Sequence, residues 1–418
     1  MSKRGKQSSL IAGLDIGSSM IRMAVGSVVE GPQGPELHIL AAADSPSSGV
    51  HRGVVTSIED TVSSIAAVFE RTERLVGVPV EHAWVGISGT HVQTQQSRGT
   101  VAVAQTRGEI TTDDVERAVD NARTVATPLN YEILHVIPQS FTVDDQKGLK
   151  NPVGMSGVRL EVDAQIVQGV SAHIKNITRA VYRTGLDIDD VVLGVLAAGE
   201  AVLSARQKEL GVVVVNIGST TTGVAVYEDG DLLHAAVLPI GSGHITNDLA
   251  IGLRTDIDVA DAVKIRHGSA LAAQAQKKDQ VNLRELGALS DEMVSLKYIA
   301  EITQARVEEI FDKVDDTLEQ AGRSGKLPAG VVLTGAGSSL GGIVELAKAH
   351  LRLPAQLGYP VGINSVTDRA GDLGFVTAVG LVKWGQQAAK ESYGGRGSFE
   401  VVDKTVGQIK GWFGSLLP

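Results

Sequence analysis

Short β-branched runs punctuated by glycine turns recur along this chain, and two of them are built alike. Residues 10–14, a turn over 15–19 and residues 20–25 predict strand, tight turn, strand. About two hundred residues later, Gly211-Val212-Val213-Val214-Val215 is long enough for a fully buried strand and leads through Asn216-Ile217-Gly218-Ser219-Thr220 into a second strand over 222–227. Two copies of one unit at this separation predict two pseudo-equivalent domains facing each other.

Between the copies, residues 59–76 read as a helix, and the pattern changes at Trp84. Residues 84–88, 132–136, 157–161 and 164–170 predict strands. Thr112 opens a helix with Val115, Ala118, Val119, Ala122 and Val125 on one face, so this stretch predicts a compact α+β insertion. Beyond the second copy, 259–266 and 296–322 are helical by spacing, the latter carrying Ile299, Ile302, Ile310, Val314 and Leu318 as its apolar stripe. Residues 331–333 predict another buried strand, which meets Gly335 and then a helix from about Gly342. An apolar helix near 373–384 closes the core, and 391–398, with three glycines, reads as a linker.

The last segment has its own period. Val402, Val406, Ile409, Phe413 and Leu416 follow steps of four and three, with Trp412 beside them, while Lys404, Gln408 and Lys410 occupy other sides. About sixteen residues at ~1.5 Å each make a helix of roughly 24 Å, amphipathic and short for a span, as expected of a helix lying in a membrane interface. A terminal helix packed on its own domain, or on a partner, has the same stripe. The flexible linker and the terminal Trp412-Phe413 favour the membrane, with Val406, Ile409, Trp412, Phe413 and Leu416 as the buried face. Only two lysines and three glycines, Gly407, Gly411 and Gly414, predict weak folding in water and anchoring that relies on several copies.

Composition narrows the chemistry. The 418 residues exceed one simple core, and 43% hydrophobic with 21% charged residues fits a soluble globular protein of two or more domains. A net charge of -10 with 4% aromatics argues against a nucleic-acid surface. With no cysteine there is no disulfide, thiolate nucleophile or cysteine-based zinc site, and a reducing cytoplasm is the compatible compartment. The ten histidines are scattered, without a metal-binding pair. The polar, basic residues 1–9 and the broken apolar run after them fit neither a signal peptide nor a membrane span.

The turns carry the candidate chemistry. Gly17 permits a backbone turn in which the amides of Gly17, Ser18 and Ser19 point at phosphate oxygens, and Asp15 supplies a carboxylate suited to holding Mg²⁺ through its water shell. Alone, this is equally an ordinary hairpin, because Asp-x-Gly turns are common. Gly218, Ser219, Thr220 and Thr221 repeat the glycine-plus-hydroxyl chemistry, and the pair points to phosphates held between two hairpins. A third element, Gly335-Ala336-Gly337, lets a nucleoside approach the backbone at a strand-to-helix turn. Its GxGxxxG spacing is not the dinucleotide fingerprint, and no Walker loop is present, so the site must come from three separated loops.

With these loops in this order, the sequence resembles the actin, Hsp70 and sugar-kinase superfamily. Within it, the chain is similar to the bacterial cell-division FtsA family over nearly its whole length. The matching stretches include Gly13-Leu14-Asp15-Ile16-Gly17-Ser18-Ser19, Arg52-Gly53-Val54-Val55, His135-Val136-Ile137-Pro138-Gln139, Asn151-Pro152-Val153-Gly154 and Leu333-Thr334-Gly335-Ala336-Gly337. The resemblance implies an actin-like two-domain α/β fold with an inserted α+β subdomain, ATP in the central cleft and self-assembly into filaments. The implied organisation is a first domain over 1–83, the insertion over 84–166, a return over 167–208, and a second domain over 209–245 and 328–362. A small partner-binding subdomain covers 246–327, a closing segment 363–388, a linker 389–401 and the amphipathic helix 402–418.

It also implies partners. The acidic C-terminal tail of FtsZ would dock on the small subdomain near Ala305-Arg306, with Arg306 as candidate contact, although an arginine paired with Glu309 on the same helix face is the plain alternative. Later division proteins would bind the insertion, and an anionic membrane the tail, on the cytoplasmic face of the inner membrane at the septum. Asp261 and Lys264, sharing a helix face, stand where the superfamily covers the adenosine. Hydrolysing relatives open the second loop with Asp, and this chain has Asn216, whose amide carries no charge. Binding of ATP with at most slow turnover is therefore expected. A sugar or acetate kinase and a pilus-assembly ATP-binding relative are the alternatives; the tail and the Asn151-Pro152-Val153-Gly154 run favour the division protein.

Overall fold

The computed structural model describes residues 10–394, apart from 32–33, 105–107, 125–126, 277 and 290. Two sheets of matching topology form its body. In the first, Leu10–Ile16 pairs antiparallel with Met20–Gly31, which pairs with Gly34–Pro46; on its other side Leu10–Ile16 pairs parallel with His82–Ile87, followed by Asp187–Leu193. In the second, Val212–Ile217 pairs antiparallel with Thr222–Glu228 and then Asp231–Leu238, and parallel with Gly330–Thr334 and then Ala355–Leu357. The repeat read from the two hairpins extends to whole sheets. Val212, Val213, Val214 and Val215 are all fully buried, as a central strand covered on both faces requires.

The insertion is a separate four-stranded sheet, ordered Val92–Ala102, Arg159–Val170, Tyr131–Val143 and Gln146–Leu149. The helix Thr112–Thr124 covers it, burying Val115, Ala118, Val119 and Ala122 against Phe141, Leu160 and Val162. Residue 125, expected on that helical face, lies outside the described residues.

Several expected bounds move. The strand His82–Ile87, in which the insertion was expected to open at residue 84, lies in the first sheet with Trp84 opposite Gly13. The inserted sheet begins only at Val92. The segments 157–161 and 164–170 are one strand, Arg159–Val170, whose pairing with Val92–Ala102 is unbroken while its ladder to Tyr131–Val143 shifts register at Asp163/Ala164. The closing helix, Val376–Gly394, runs into the segment expected to be linker, because Ala388, Ala389, Lys390 and Glu391 are good helix formers. The linker's remainder and the amphipathic segment 402–418, with Val406, Ile409, Trp412, Phe413 and Leu416, lie outside the described residues. Among the described residues no helix is long and apolar enough to cross a membrane.

Candidate functional site

Both hairpins turn in the same way. Ile16 pairs with Ile21 and Ile217 with Thr222, so each turn encloses four residues, and Asp15 and Asn216 occupy equivalent positions on the strands entering them. The turns face each other: Thr220 Oγ1 donates to Ser18 Oγ at 2.9 Å. The helix Ser242–Leu253 starts on the second turn, with Ser242 N donating to Gly218 O at 2.8 Å and Gly243 N to Ser219 O at 2.7 Å.

Around the turns lies a cleft of about 1250 Å³ between the two sheets. Asp15, Gly17, Ser18 and Ser19 line it from the first half, and Asn216, Gly218, Ser219 and Thr220 from the second. Gly335, Ala336 and Gly337 line it from the turn after Gly330–Thr334, and Asp261 and Lys264 from the helix Ile257–His267. The structure thus brings all the nucleotide candidates read from the sequence to one cavity. At Gly335 the backbone is left-handed, with φ of 81°, and a Cβ there would lie 2.6 Å from the Ile217 carbonyl oxygen and on the Asn216 side chain. Only glycine lets the third loop approach the second turn this closely.

The helix pair at the cleft's far end is preorganised. Lys264 Nζ donates to Asp261 Oδ1 at 2.5 Å and to Thr246 Oγ1 at 2.7 Å, and Thr246 Oγ1 donates to the same carboxylate oxygen at 3.0 Å. Thr246 was not among the residues singled out in the sequence. Two more went unnoticed. Arg22 stands directly opposite Asp15 in the hairpin, lines the cleft and an adjoining cavity of about 350 Å³, and lies 5.7 Å from the Phe375 ring centre. Extending the hairpin register would have found it. Thr377, at the start of the closing helix, accepts a 3.0 Å bond from Asn216 Nδ2, a contact across 161 residues that no local pattern signals.

The electrostatics of the two turns differ accordingly. Burial pushes the Asp15 carboxyl up to about 6, with the Arg22 guanidinium acting in the opposite direction. Asn216 brings no charge from the other side. Among the described residues no group of three or more His, Asp or Glu side chains could hold a metal by itself.

Arg306 lies on the helix Leu296–Gln320 and is engaged within the chain. Its Nη2 donates to Asp248 Oδ1 at 2.9 Å and its Nε to Asp248 Oδ2 at 2.5 Å, while Nη1 pairs with Glu309. The Glu309 pairing expected from helix spacing is present, and Asp248 adds a two-point clamp to Ser242–Leu253.

Residues 213–380 match the family described as Cell division protein FtsA, and residues 89–168 the SHS2 domain inserted in FtsA. FtsA of Pseudomonas aeruginosa is 37% identical over 378 residues, covering 90% of this chain and 89% of its own. The chain belongs to the FtsA family. FtsA of Bacillus subtilis is 34% identical over 96% of this chain and 88% of its own, and FtsA of Escherichia coli K12 is 32% identical over 96% and 95%. The fold is actin-like. A structure of the PilM–PilN type IV pilus biogenesis complex matches with a TM-score of 0.64 at 16% identity, over 89% of this chain and 97% of that one. MreB5 of Spiroplasma citri bound to ADP matches with a TM-score of 0.55 at 12% identity, over 92% and 99%. This FtsA-family chain is thus a cell-division protein with an actin-like fold, and the inserted sheet is its SHS2 domain.

Proposed function

We propose that this chain binds ATP in the central cleft and, as a self-assembling adaptor, ties the FtsZ ring to the cytoplasmic face of the inner membrane at the septum. The observation that carries the reading is the convergence of two glycine turns and a third glycine loop on one cleft in a chain of the FtsA family. In this reading the amides of Gly17, Ser18 and Ser19 and of Gly218, Ser219 and Thr220 hold the phosphates from two sides. Gly335, Ala336 and Gly337 back the nucleoside, and the Asp261–Lys264 pair covers it. Asp15 is the carboxylate beside the turns, which fits Mg²⁺, an ion that takes one or two carboxylates and completes its shell with water and phosphate oxygens. With the neutral Asn216 opposite, ATP serves as an assembly ligand with at most slow turnover.

The division role adds three surfaces. The acidic FtsZ tail docks beside Leu296–Gln320, where Arg306 can meet it by exchanging Glu309 while Asp248 keeps its own hold. The inserted sheet takes later division proteins. The stripe Val406, Ile409, Trp412, Phe413 and Leu416 enters an anionic membrane, each copy binding weakly and the filament strongly.

Two measurements test the reading. Titration with a fluorescent ATP analogue and Mg²⁺ should saturate, and a chain showing no saturable binding would sink the cleft assignment. Removing residues 403–418 should abolish ATP-dependent co-sedimentation with phosphatidylglycerol liposomes; unchanged sedimentation removes the anchor.

A further inference from the structure

The inserted sheet is rooted in the first half of the molecule but also leans on the second. Thr94 Oγ1 donates to the Ala235 carbonyl at 2.6 Å, and Gln139 Nε2 to the Leu232 carbonyl at 2.6 Å. Lys150 Nζ donates to the Asp229 carbonyl at 2.9 Å and pairs with the Asp231 carboxylate. These acceptors belong to the edge strand Asp231–Leu238 and the turn before it. Outward carbonyls of an edge strand normally alternate, so acceptors three residues apart need a change of register. The bulge between Val226 and Tyr227, which passes over Leu233, supplies it.

The root of the insertion meets the first phosphate turn. Gly53 N donates to Ser18 Oγ at 3.1 Å, and Thr90 N reaches the Arg52 carbonyl at 3.5 Å. A Cβ on Gly53 would fall 2.5 Å from Gly89 Cα, so these two backbones pack directly on one another. The contacts form a closed circuit. It runs from Ser18 through Gly53 and Gly89 into the inserted sheet, across to Asp231–Leu238, along the paired strand Thr222–Glu228 to the second turn, and back through the Thr220–Ser18 bond. A rotation of the halves that parts Ser18 from Thr220 about an axis away from the seat strains the insertion's root or slides its three side chains along the edge strand.

We propose that the inserted sheet is a clasp across the two halves, coupling occupancy of the cleft to the seating of the insertion on Asp231–Leu238. This rests on the nucleotide reading above. A partner that lifts the insertion loosens the nucleotide, and a bound nucleotide holds the insertion down, by the same factor in both directions. The seat suits such a device, because polar side chains bonded to main-chain carbonyls can exchange for water when the sheet lifts.

The chain contains no cysteine, so Asp120→Cys on Thr112–Thr124 and Ala349→Cys on Ile343–Leu351 give a clean pair of spin labels on the full chain. The unaltered seat should give one narrow distance distribution. With Thr94→Val and Gln139→Leu together, the distribution should broaden or shift, and ATP should dissociate at least threefold faster with the melting temperature retained. Lys150→Gln, at the exposed end of the contact, should move both readings in the same direction and serves if the double variant folds poorly. Unchanged distances in both variants overturn the clasp, and changed distances with unchanged ATP dissociation overturn the coupling. If the unaltered chain binds no ATP, the nucleotide reading fails and with it the coupling, while the distances still decide the clasp.

Discussion

Thr220 Oγ1 donates a 2.9 Å hydrogen bond to Ser18 Oγ, joining the two turns across 202 positions of sequence. The same serine oxygen accepts from Gly53 N at 3.1 Å. One hydroxyl thus gathers both candidate phosphate turns and the segment at the insertion's root. Ser18→Ala leaves two half-buried donors without this acceptor and should lower stability by about 1–2 kcal/mol. Ser18→Thr keeps the oxygen and should lose less. Guanidinium denaturation of the three proteins checks this, and equal midpoints for Ala and wild type would show that water replaces the bonds at no cost.

Gly335→Ala combines a left-handed backbone, φ of 81°, with a methyl group driven against the Ile217 carbonyl. The expected cost is about 1–3 kcal/mol of strain. Because relief can come only by moving the third loop from the second turn, ATP-analogue affinity should drop at least tenfold. An affinity within twofold of wild type would take Gly335 out of the site.

His135 gives a pH dependence. Its buried Nε2 accepts from Leu193 N at 3.0 Å, joining the inserted strand Tyr131–Val143 to the first sheet, and burial pushes its pKa down to about 4 from the ordinary 6.5. Between these values the unfolded chain binds a proton that the folded chain refuses. Stability is therefore full above pH 6.5, falls as pH drops, and levels off below about 4. At pH 5 the loss from this group is about 2 kcal/mol. Denaturation midpoints at pH 7.5 and pH 5 measure it, and His135→Gln, which does not titrate, should flatten the difference. A wild-type slope that survives the substitution assigns the effect elsewhere.

Asp248 and Arg306 separate a partner contact from an internal clamp. Arg306→Glu would gather three carboxylates at one point, so a loss of FtsZ-tail binding by that variant would not distinguish binding from local unfolding. Asp248→Ala instead frees two guanidinium nitrogens. If Arg306 meets the acidic tail, this change should tighten tail binding several-fold by fluorescence anisotropy while lowering the melting temperature. Unchanged or weaker binding in the folded variant would confine Arg306 to holding Leu296–Gln320 against Ser242–Leu253.

The sequence by itself determined what is local. Val212 to Val215 form a central strand because four β-branched residues in a row suit a site buried on both faces. Gly17 and Gly218 mark the turns, and the contrast of Asp15 with Asn216 was legible because it is a difference of residue type at matching positions. The helix Leu296–Gln320 follows its apolar period to within two residues at its C-terminal end. Tertiary structure decided what depends on pairing at a distance. The pattern change at Trp84 reads as the start of the insertion, and only the ladder that places Trp84 opposite Gly13 assigns His82–Ile87 to the first sheet. Arg306 reads as an exposed cation until Asp248, 58 positions away, is brought against it. The seat of Thr94 and Gln139 on Asp231–Leu238 has no sequence signature, because its acceptors are main-chain carbonyls, which every residue carries alike.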